Sequence, residues 1–203
     1  MPVAGTDTGP QVKGTALIIF FKYLKTQPGT EALRQKILAA LPASTAQVIS
    51  KKVIAVADYP YSVFVDYLRA LDRVLGKGDL AVCRKLGEYF ATQNIQIVSE
   101  MFKQRPRPED LMRVGDVFWR NYHLHSGAMK VEDSSPEHMV IRIDDFPQMA
   151  PAHCRLMEGW FSRAIVETGG VWIEDIHEVR CAARGDPFHE FVGRWRPGGK
   201  SEK

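Results

Sequence analysis

The chain has 203 residues, of which 45% are hydrophobic and 25% charged, and its 27 basic and 24 acidic side chains give a net charge of +3. This composition is typical of one globular domain and excludes a disordered or fibrous protein, while the interleaved charges provide no dedicated surface for nucleic acid. The longest apolar run, residues 16–21, is far shorter than the ~20 residues of a membrane helix. Three cysteines are too few for a secreted disulfide framework, so we expect a cytoplasmic protein with no membrane partner.

The N-terminal half of the sequence is predicted to be helical. Pro, Gly and Thr at the ends predict flexible tails over 1–13 and 196–203, which leaves a single domain over 14–195. Residues 14–23 are apolar and β-branched, which is compatible with a buried strand or with the first turn of a helix. Apolar residues at helical spacing predict four helices, over 31–41, 61–75, 80–103 and 109–122. Asp79 is the predicted N-cap of the helix over 80–103, and a Pro-rich break at 105–108 ends it.

After Gly127 the hydrophobic pattern changes from helical to alternating. Residues 138–143 alternate as a half-buried strand, with 128–132 as the hairpin partner. A late helix over 151–168 follows, and then two strands over 171–180 and 188–195, joined by a turn at 184–187. The order of these elements predicts an α+β fold in which an N-terminal helical layer packs on an antiparallel sheet with one late helix.

The sequence lacks the short motifs of common enzyme classes. It has no phosphate-binding loop, no dinucleotide fingerprint, no nucleophile elbow and no H-E-x-x-H zinc motif. Adjacent acids near the predicted strand ends point to opposite faces and are expected in solvent. No nucleophile has a recognisable base, so we predict that the protein is not an enzyme.

Aromatic and histidine side chains are candidates for binding. A cavity between helices and a sheet would be walled by aromatic residues, although such residues are also typical of a filled core. The five candidates are Phe118, Trp119, Tyr122, Trp160 and Phe161. His123-x-His125 has the spacing of two metal ligands on one face of a strand, but no third ligand lies nearby. We expect His138, His153 and His177 at the surface or at its boundary.

Four side chains of metal-binding type lie in the last third of the chain: Cys154, Glu178, Cys181 and His189. A helix, strand, turn and strand can bring them together at one end of the sheet, and His189 should point inward because it shares its strand face with Phe191. Four protein ligands would close a tetrahedral zinc site and make it structural. From the spacing alone, core cysteines and a buried, hydrogen-bonded histidine are the simpler interpretation.

The same region resembles the vinyl reductase domain family. The motifs are Cys154 with Gly159-Trp160, the turn Gly169-Gly170, E-x-x-C at 178–181 and Gly185-Asp186. The family includes effector-binding domains of phenol- and toluene-responsive activators, and its fold is similar to that of Golgi transport-particle subunits and haem nitric-oxide sensor domains. Over about 13–195 the chain also resembles a myxobacterial family of unknown function, through the motifs at 13–14, 58–60, 75–79, 86–87 and 185–188.

This resemblance implies a function as well as a fold. In the aromatic-effector sensors a helix cysteine, the glutamate of E-x-x-C and two further cysteines hold zinc, which implies structural Zn²⁺ on Cys154, Glu178 and Cys181, with His189 replacing the last cysteine. Haem is not expected, because the Tyr-x-Ser-x-Arg signature and the proximal histidine are missing. The resemblance implies a non-catalytic sensory or regulatory domain with an apolar pocket for a small hydrophobic or aromatic ligand, working as a homodimer or through a signalling protein partner. The alternative is a protein–protein interaction adaptor similar to the transport-particle subunits, with a filled core and no ligand.

Overall fold

The computed structural model of the protein describes residues 9–102, 107–133, 135 and 138–198. Helices and strands follow one another in the described residues as β1 (Gln11–Lys13), α1 (Gly14–Lys25), α2 (Thr30–Ala40), α3 (Ala43–Ile49), β2 (Asp58–Pro60), α4 (Tyr61–Leu75), α5 (Ala81–Phe102), α6 (Pro108–Arg113), α7 (Gly115–Tyr122), β3 (His123–Leu124), β4 (Ala128–Asp133), β5 (Met139–Asp144), α8 (Pro151–Glu167), β6 (Gly170–Arg180) and β7 (His189–Pro197). One 3₁₀ turn, Ala182–Arg184, separates β6 from β7.

The strands form two antiparallel sheets. A small sheet has the order β2-β1-β3, and the main sheet has the order β4-β5-β7-β6. In the main sheet Ile143 of β5 pairs with His189 of β7, and Phe191 of β7 lies between Ile141 on one side and Glu178 on the other. Since side chains alternate along a strand, this register puts His189 and Phe191 on the same, buried face.

Helix α8 lies against the buried face of the main sheet, and α5 crosses α8 on its other side. The crossing is close because glycines face the partner backbone. A Cβ atom at Gly87 would lie 1.8 Å from the carbonyl oxygen of Leu156, and one at Gly159 would lie 1.9 Å from that of Arg84. Any side chain at either position would push the two helices apart, so the motif Leu86-Gly87 is explained by helix packing.

The structure confirms most predicted elements and corrects several. Residues 14–23 belong to helix α1, and the small sheet and α3 escaped prediction because their strands have two or three residues and α3 has seven. The helix predicted over 109–122 is two helices that break at Val114.

Secondary structure extends beyond both predicted domain boundaries. It begins at Gln11, inside the segment predicted as a tail, and ends at Pro197. Residues 1–8 and 199–203 of the predicted tails, the predicted helix end at Lys103 and residues 105–106 of the predicted break lie outside the described residues. In the part of the chain that the structure describes, no helix has both the length and the hydropathy needed to cross a membrane.

Candidate metal centre and central cavity

The four predicted metal ligands meet at one end of the main sheet. Cys154 lies in the first turns of α8, Glu178 near the end of β6, Cys181 just after β6, and His189 at the start of β7. One ligand atom from each residue lies within 4.8 Å of all the others. The two Sγ atoms are 4.0 Å apart, Cys154 Sγ is 3.5 Å from His189 Nδ1, and Nδ1 is 3.1 Å from Glu178 Oε1. Cys154, Cys181 and His189 are buried.

The three separations between neighbouring ligand atoms are close to those around one zinc ion. With Zn–S bonds of about 2.3 Å and Zn–N or Zn–O bonds of about 2.0–2.1 Å, a tetrahedron separates two sulfurs by ~3.8 Å, sulfur and nitrogen by ~3.6 Å, and nitrogen and oxygen by ~3.4 Å. The corresponding separations in the protein are 4.0, 3.5 and 3.1 Å. Two thiols, one imidazole and one carboxylate are also a donor set that zinc accepts.

The imidazole of His189 is oriented by the backbone. Its Nε2 lies 3.2 Å from the carbonyl oxygen of Phe146, and because a carbonyl can only accept, Nε2 carries a proton. Nδ1 therefore faces Cys154 and Glu178. A hydrogen bond from the second ring nitrogen to a backbone carbonyl is a common way of fixing a metal-binding histidine.

Cys181 is held by a tight turn. Its backbone N–H donates to Asp186 Oδ2 at 2.7 Å, and its carbonyl oxygen accepts the N–H of Arg184 at 2.8 Å. The turn needs a left-handed residue at Gly185, where φ is 98°. The Gly185-Asp186 motif thus positions the residue that presents the second thiol.

Glu158 is a supporting residue that the sequence analysis missed. Its Oε1 accepts the backbone N–H of Glu178 at 2.8 Å, while its Oε2 lies 2.6 Å from an Arg155 nitrogen and 3.5 Å from an Arg84 nitrogen. The residue is 1% exposed. The sequence feature that could have indicated this role is its position four residues after Cys154, which puts both residues on the same face of α8.

Burial dominates the electrostatics of the cluster. Burial, and then the nearby Glu178 carboxylate, raise the pKa of the Cys154 and Cys181 thiols. Burial also works to raise the pKa of Glu178, but its hydrogen-bonding contacts with His189 and the two thiols outweigh burial, so that pKa is lowered. Protonated thiols must lose their protons when they bind a metal, so metal binding here releases protons.

A central cavity of about 40 Å³ lies between α1, α4, α5, α7, α8, β3 and β4. Four of the five predicted wall residues line it: Phe118, Trp119, Tyr122 and Trp160. Phe161 does not. It is fully buried, and its ring packs edge-on against Phe191 with 5.4 Å between ring centroids. Helical spacing correctly predicted that Phe161 lies on a buried face of α8, but this face packs against the main sheet and not against the cavity.

The cavity wall has few polar groups. Tyr122 donates its hydroxyl hydrogen to Asn94 Oδ1 at 3.0 Å, so these two groups satisfy each other. His123 also lines the cavity, and its enclosed Nδ1 has no hydrogen-bond partner among the residues that the structure describes. Burial lowers the pKa of His123 to about 3, which keeps the imidazole neutral. His125 is exposed and has φ 51°, and the described residues form no metal-binding group around His123 and His125, so the H-x-H spacing does not mark a metal site here.

His153 corrects a further prediction. We expected it at the surface or its boundary, but it is fully buried beside His123, with 4.8 Å between the ring centroids. The Tyr61 hydroxyl accepts the Ala150 N–H and lies 3.0 Å from His153 Nδ1, to which it can donate. Nε2 then carries the proton, and no described residue accepts a hydrogen bond from it. Burial, and then His123 and His189, lower the pKa of His153. His138 and His177 are exposed, as predicted.

Known structures share this fold. An H-NOX protein from S. oneidensis in the Fe(II) state, a triple mutant, has a TM-score of 0.69 over 93% of this chain and 98% of its own, with 12% identity. The NMR structure of an H-NOX domain from Shewanella oneidensis in the Fe(II)CO state has a TM-score of 0.66 and 13% identity over 93% and 99%. Unliganded Fe(II) H-NOX from K. algicida has a TM-score of 0.63 and 10% identity over 90% and 96%.

The chain therefore has the α+β fold of the H-NOX domains, which confirms the predicted likeness to a haem sensor fold. No protein-family model matches the sequence, and no curated protein matches it significantly. The likeness to the vinyl reductase family stays a prediction.

Haem does not fit the central cavity. The free volume of about 40 Å³ has room for about three water-sized molecules, whereas ligand pockets commonly measure about 300–1,000 Å³. None of the residues that line the cavity is a lysine or arginine that could pair with the haem propionates. His123 could in principle ligate iron, but the macrocycle would have to displace aromatic side chains such as Trp119.

Proposed function

We propose that the protein is a non-catalytic small-molecule sensing domain in which a structural zinc ion fastens α8 to β6 and β7. The observation that carries the zinc assignment is the convergence of four donor atoms, with Nδ1 of His189 turned toward them by the bond from Nε2 to Phe146. Zinc binding of this kind contributes to folding free energy, since four protein ligands leave no open position for a reacting group.

The proposed ligand site is the central cavity. Its wall is apolar apart from Asn94, Tyr122, His123 and the indole N–H groups of two tryptophans, and His123 Nδ1 is an enclosed atom in it that has no hydrogen-bond partner among the described residues. The ligand would be small, hydrophobic and neutral, with one polar group for His123. An aromatic ring needs more room, because a cavity that binds benzene measures about 150 Å³. The flexible side chains of Met129 and Met157 in the wall could move to provide it.

Metal analysis tests the zinc site. We expect about one zinc ion per chain in protein purified without chelator, and loss of both the metal and several degrees of melting temperature in the Cys154→Ser and Cys181→Ser variants. Cys83→Ser is the matched control, because Cys83 is also fully buried but lies on α5 outside the cluster. A well-folded, metal-free protein whose stability is unaffected by either cluster substitution would disprove the zinc assignment.

Ligand binding tests the cavity separately. Methyl NMR on methionine-labelled protein should show shifts at Met129 and Met157 with xenon, and with small alcohols that can donate to His123. Ala16→Leu fills the wall and should abolish the shifts, whereas Ala39→Leu adds the same side chain at an exposed position and should not. Binding unaffected by Ala16→Leu would place the ligand elsewhere and refute the proposed site.

The interaction of the domain with other proteins stays a prediction. The adaptor alternative requires a filled core without ligand, and the small volume of the cavity keeps it open. Light scattering on the purified chain tests the predicted homodimer, and co-purification of a small molecule with the native protein would favour the sensor over the adaptor.

A further inference from the structure

A second concave site lies on the N-terminal helical layer, remote in sequence from the metal centre. This basic groove has a volume of about 450 Å³ and is lined by residues of α1, α2, α3 and α4 and of the segment that follows α3. The volume falls within the range of about 300–1,000 Å³ that is common for small-molecule sites. Its apolar floor includes the buried side chains of Leu24, Ile49 and Tyr67.

The rim of the basic groove carries only positive charge. Lys25, Arg34, Lys51 and Lys52 line it, and no aspartate or glutamate does. Within the described part of the chain, the three lysines form no ion pair, and Arg34 has a single contact of 3.5 Å with the exposed Glu31. Four cations around an apolar floor favour a ligand with one anionic group and an apolar body.

Tyr67 provides a polar group in the floor. It is 2% exposed, and its ring is fixed by Phe20, at 5.7 Å between ring centroids, and by Phe21, at 5.5 Å. Its hydroxyl has no hydrogen-bond partner among the described residues, although it lines a groove with open space. Burial raises its pKa to about 12, while Arg34 acts in the opposite direction, so the hydroxyl remains a donor. Because the hydroxyl lines this open space, a ligand or water in the groove can accept its hydrogen.

We propose that the basic groove binds an amphiphilic organic anion, such as a medium-chain carboxylate. The apolar body lies on Leu24 and Ile49, the Tyr67 hydroxyl donates to the anionic head, and Arg34 and the rim lysines neutralise its charge. Alkyl phosphates share this chemistry. The site is independent of the central cavity and of the zinc ion, because the groove contains no residue of either.

Calorimetric titration of the full chain with dodecanoate, below its micellar concentration, tests the proposal. Tyr67→Phe removes only the hydroxyl and should weaken binding about tenfold, and Arg34→Gln should weaken it by a similar factor. Lys22→Gln and Lys36→Gln are matched controls on α1 and α2: both residues are exposed outside the groove, and both variants should bind like the wild type. Ala16→Leu, which fills the central cavity, should also leave dodecanoate binding unchanged.

Charge and source are tested with two further probes. Dodecyltrimethylammonium has the same alkyl chain with the opposite charge and should not bind, and added salt should weaken dodecanoate binding. Three results would overturn the proposal: equal affinity for the cationic probe, affinity unaffected by Tyr67→Phe and Arg34→Gln, or binding to anionic phospholipid vesicles without binding of free dodecanoate. None of them bears on the metal content or on the cavity.

Discussion

Acid should destabilise the protein through the neutral histidine in the cavity wall. The pKa of His123 falls from an ordinary 6.5 to about 3 in the folded chain. Between these values the unfolded state binds the extra proton, so the contribution of His123 is fully present above 6.5 and decreases as the pH falls toward 3. A pH of about 5 is about 1.5 units below the ordinary pKa of about 6.5, and each unit corresponds to about 1.4 kcal/mol. The free energy of unfolding should therefore fall by about 2 kcal/mol at that pH. His153 acts in the same direction.

Urea unfolding of the wild type and of His123→Phe, at about pH 7.5 and about pH 5, isolates this contribution. The wild type should lose about 2 kcal/mol more than the variant between the two conditions. The exposed His125 supplies the control, and His125→Phe should lose as much as the wild type. If the wild type and His123→Phe have the same pH dependence, or if NMR shows His123 titrating near its ordinary pKa, the assignment of a neutral imidazole in the cavity wall is wrong.

Two further substitutions probe the helix crossing and the support of the metal centre. Gly87→Ala should destabilise the protein by about 1–3 kcal/mol in thermal or urea unfolding, because the new Cβ meets the Leu156 carbonyl oxygen. An unchanged stability would contradict the close crossing of α5 and α8. Glu158→Gln should lower the affinity for zinc about tenfold, as measured by competition with a chelator. The reason is that the carboxylate that accepts the Glu178 N–H and pairs with two arginines becomes a neutral amide. A variant with wild-type zinc affinity would exclude a supporting role for Glu158.

Local patterns in the sequence determined most of the regular structure. The apolar stripe of 61–75, bounded by Pro60 and Gly76, predicts helix α4, which spans Tyr61–Leu75. Alternation in 138–143 predicts strand β5, and the inward direction of His189 follows from its place two residues before Phe191. These features depend on neighbours in the chain, so one sequence is enough to predict them. The same argument leaves 14–23 undecided between helix and strand, because a short apolar run is compatible with both.

The candidate sites depended on contacts between distant segments. The sequence identified Cys154, Glu178, Cys181 and His189 as residues of metal-binding type, but their convergence follows from the pairing of β6 with β7 and the packing of α8 on the sheet. Periodicity likewise marked buried aromatic faces without telling which of them meets open space and which meets the sheet. The basic groove had no sequence signature, since its cations come from three separate segments. Composition and local pattern thus determine which side chains are available and which apolar faces are buried, whereas only tertiary packing decides that His153 is buried and which buried and charged groups face each other.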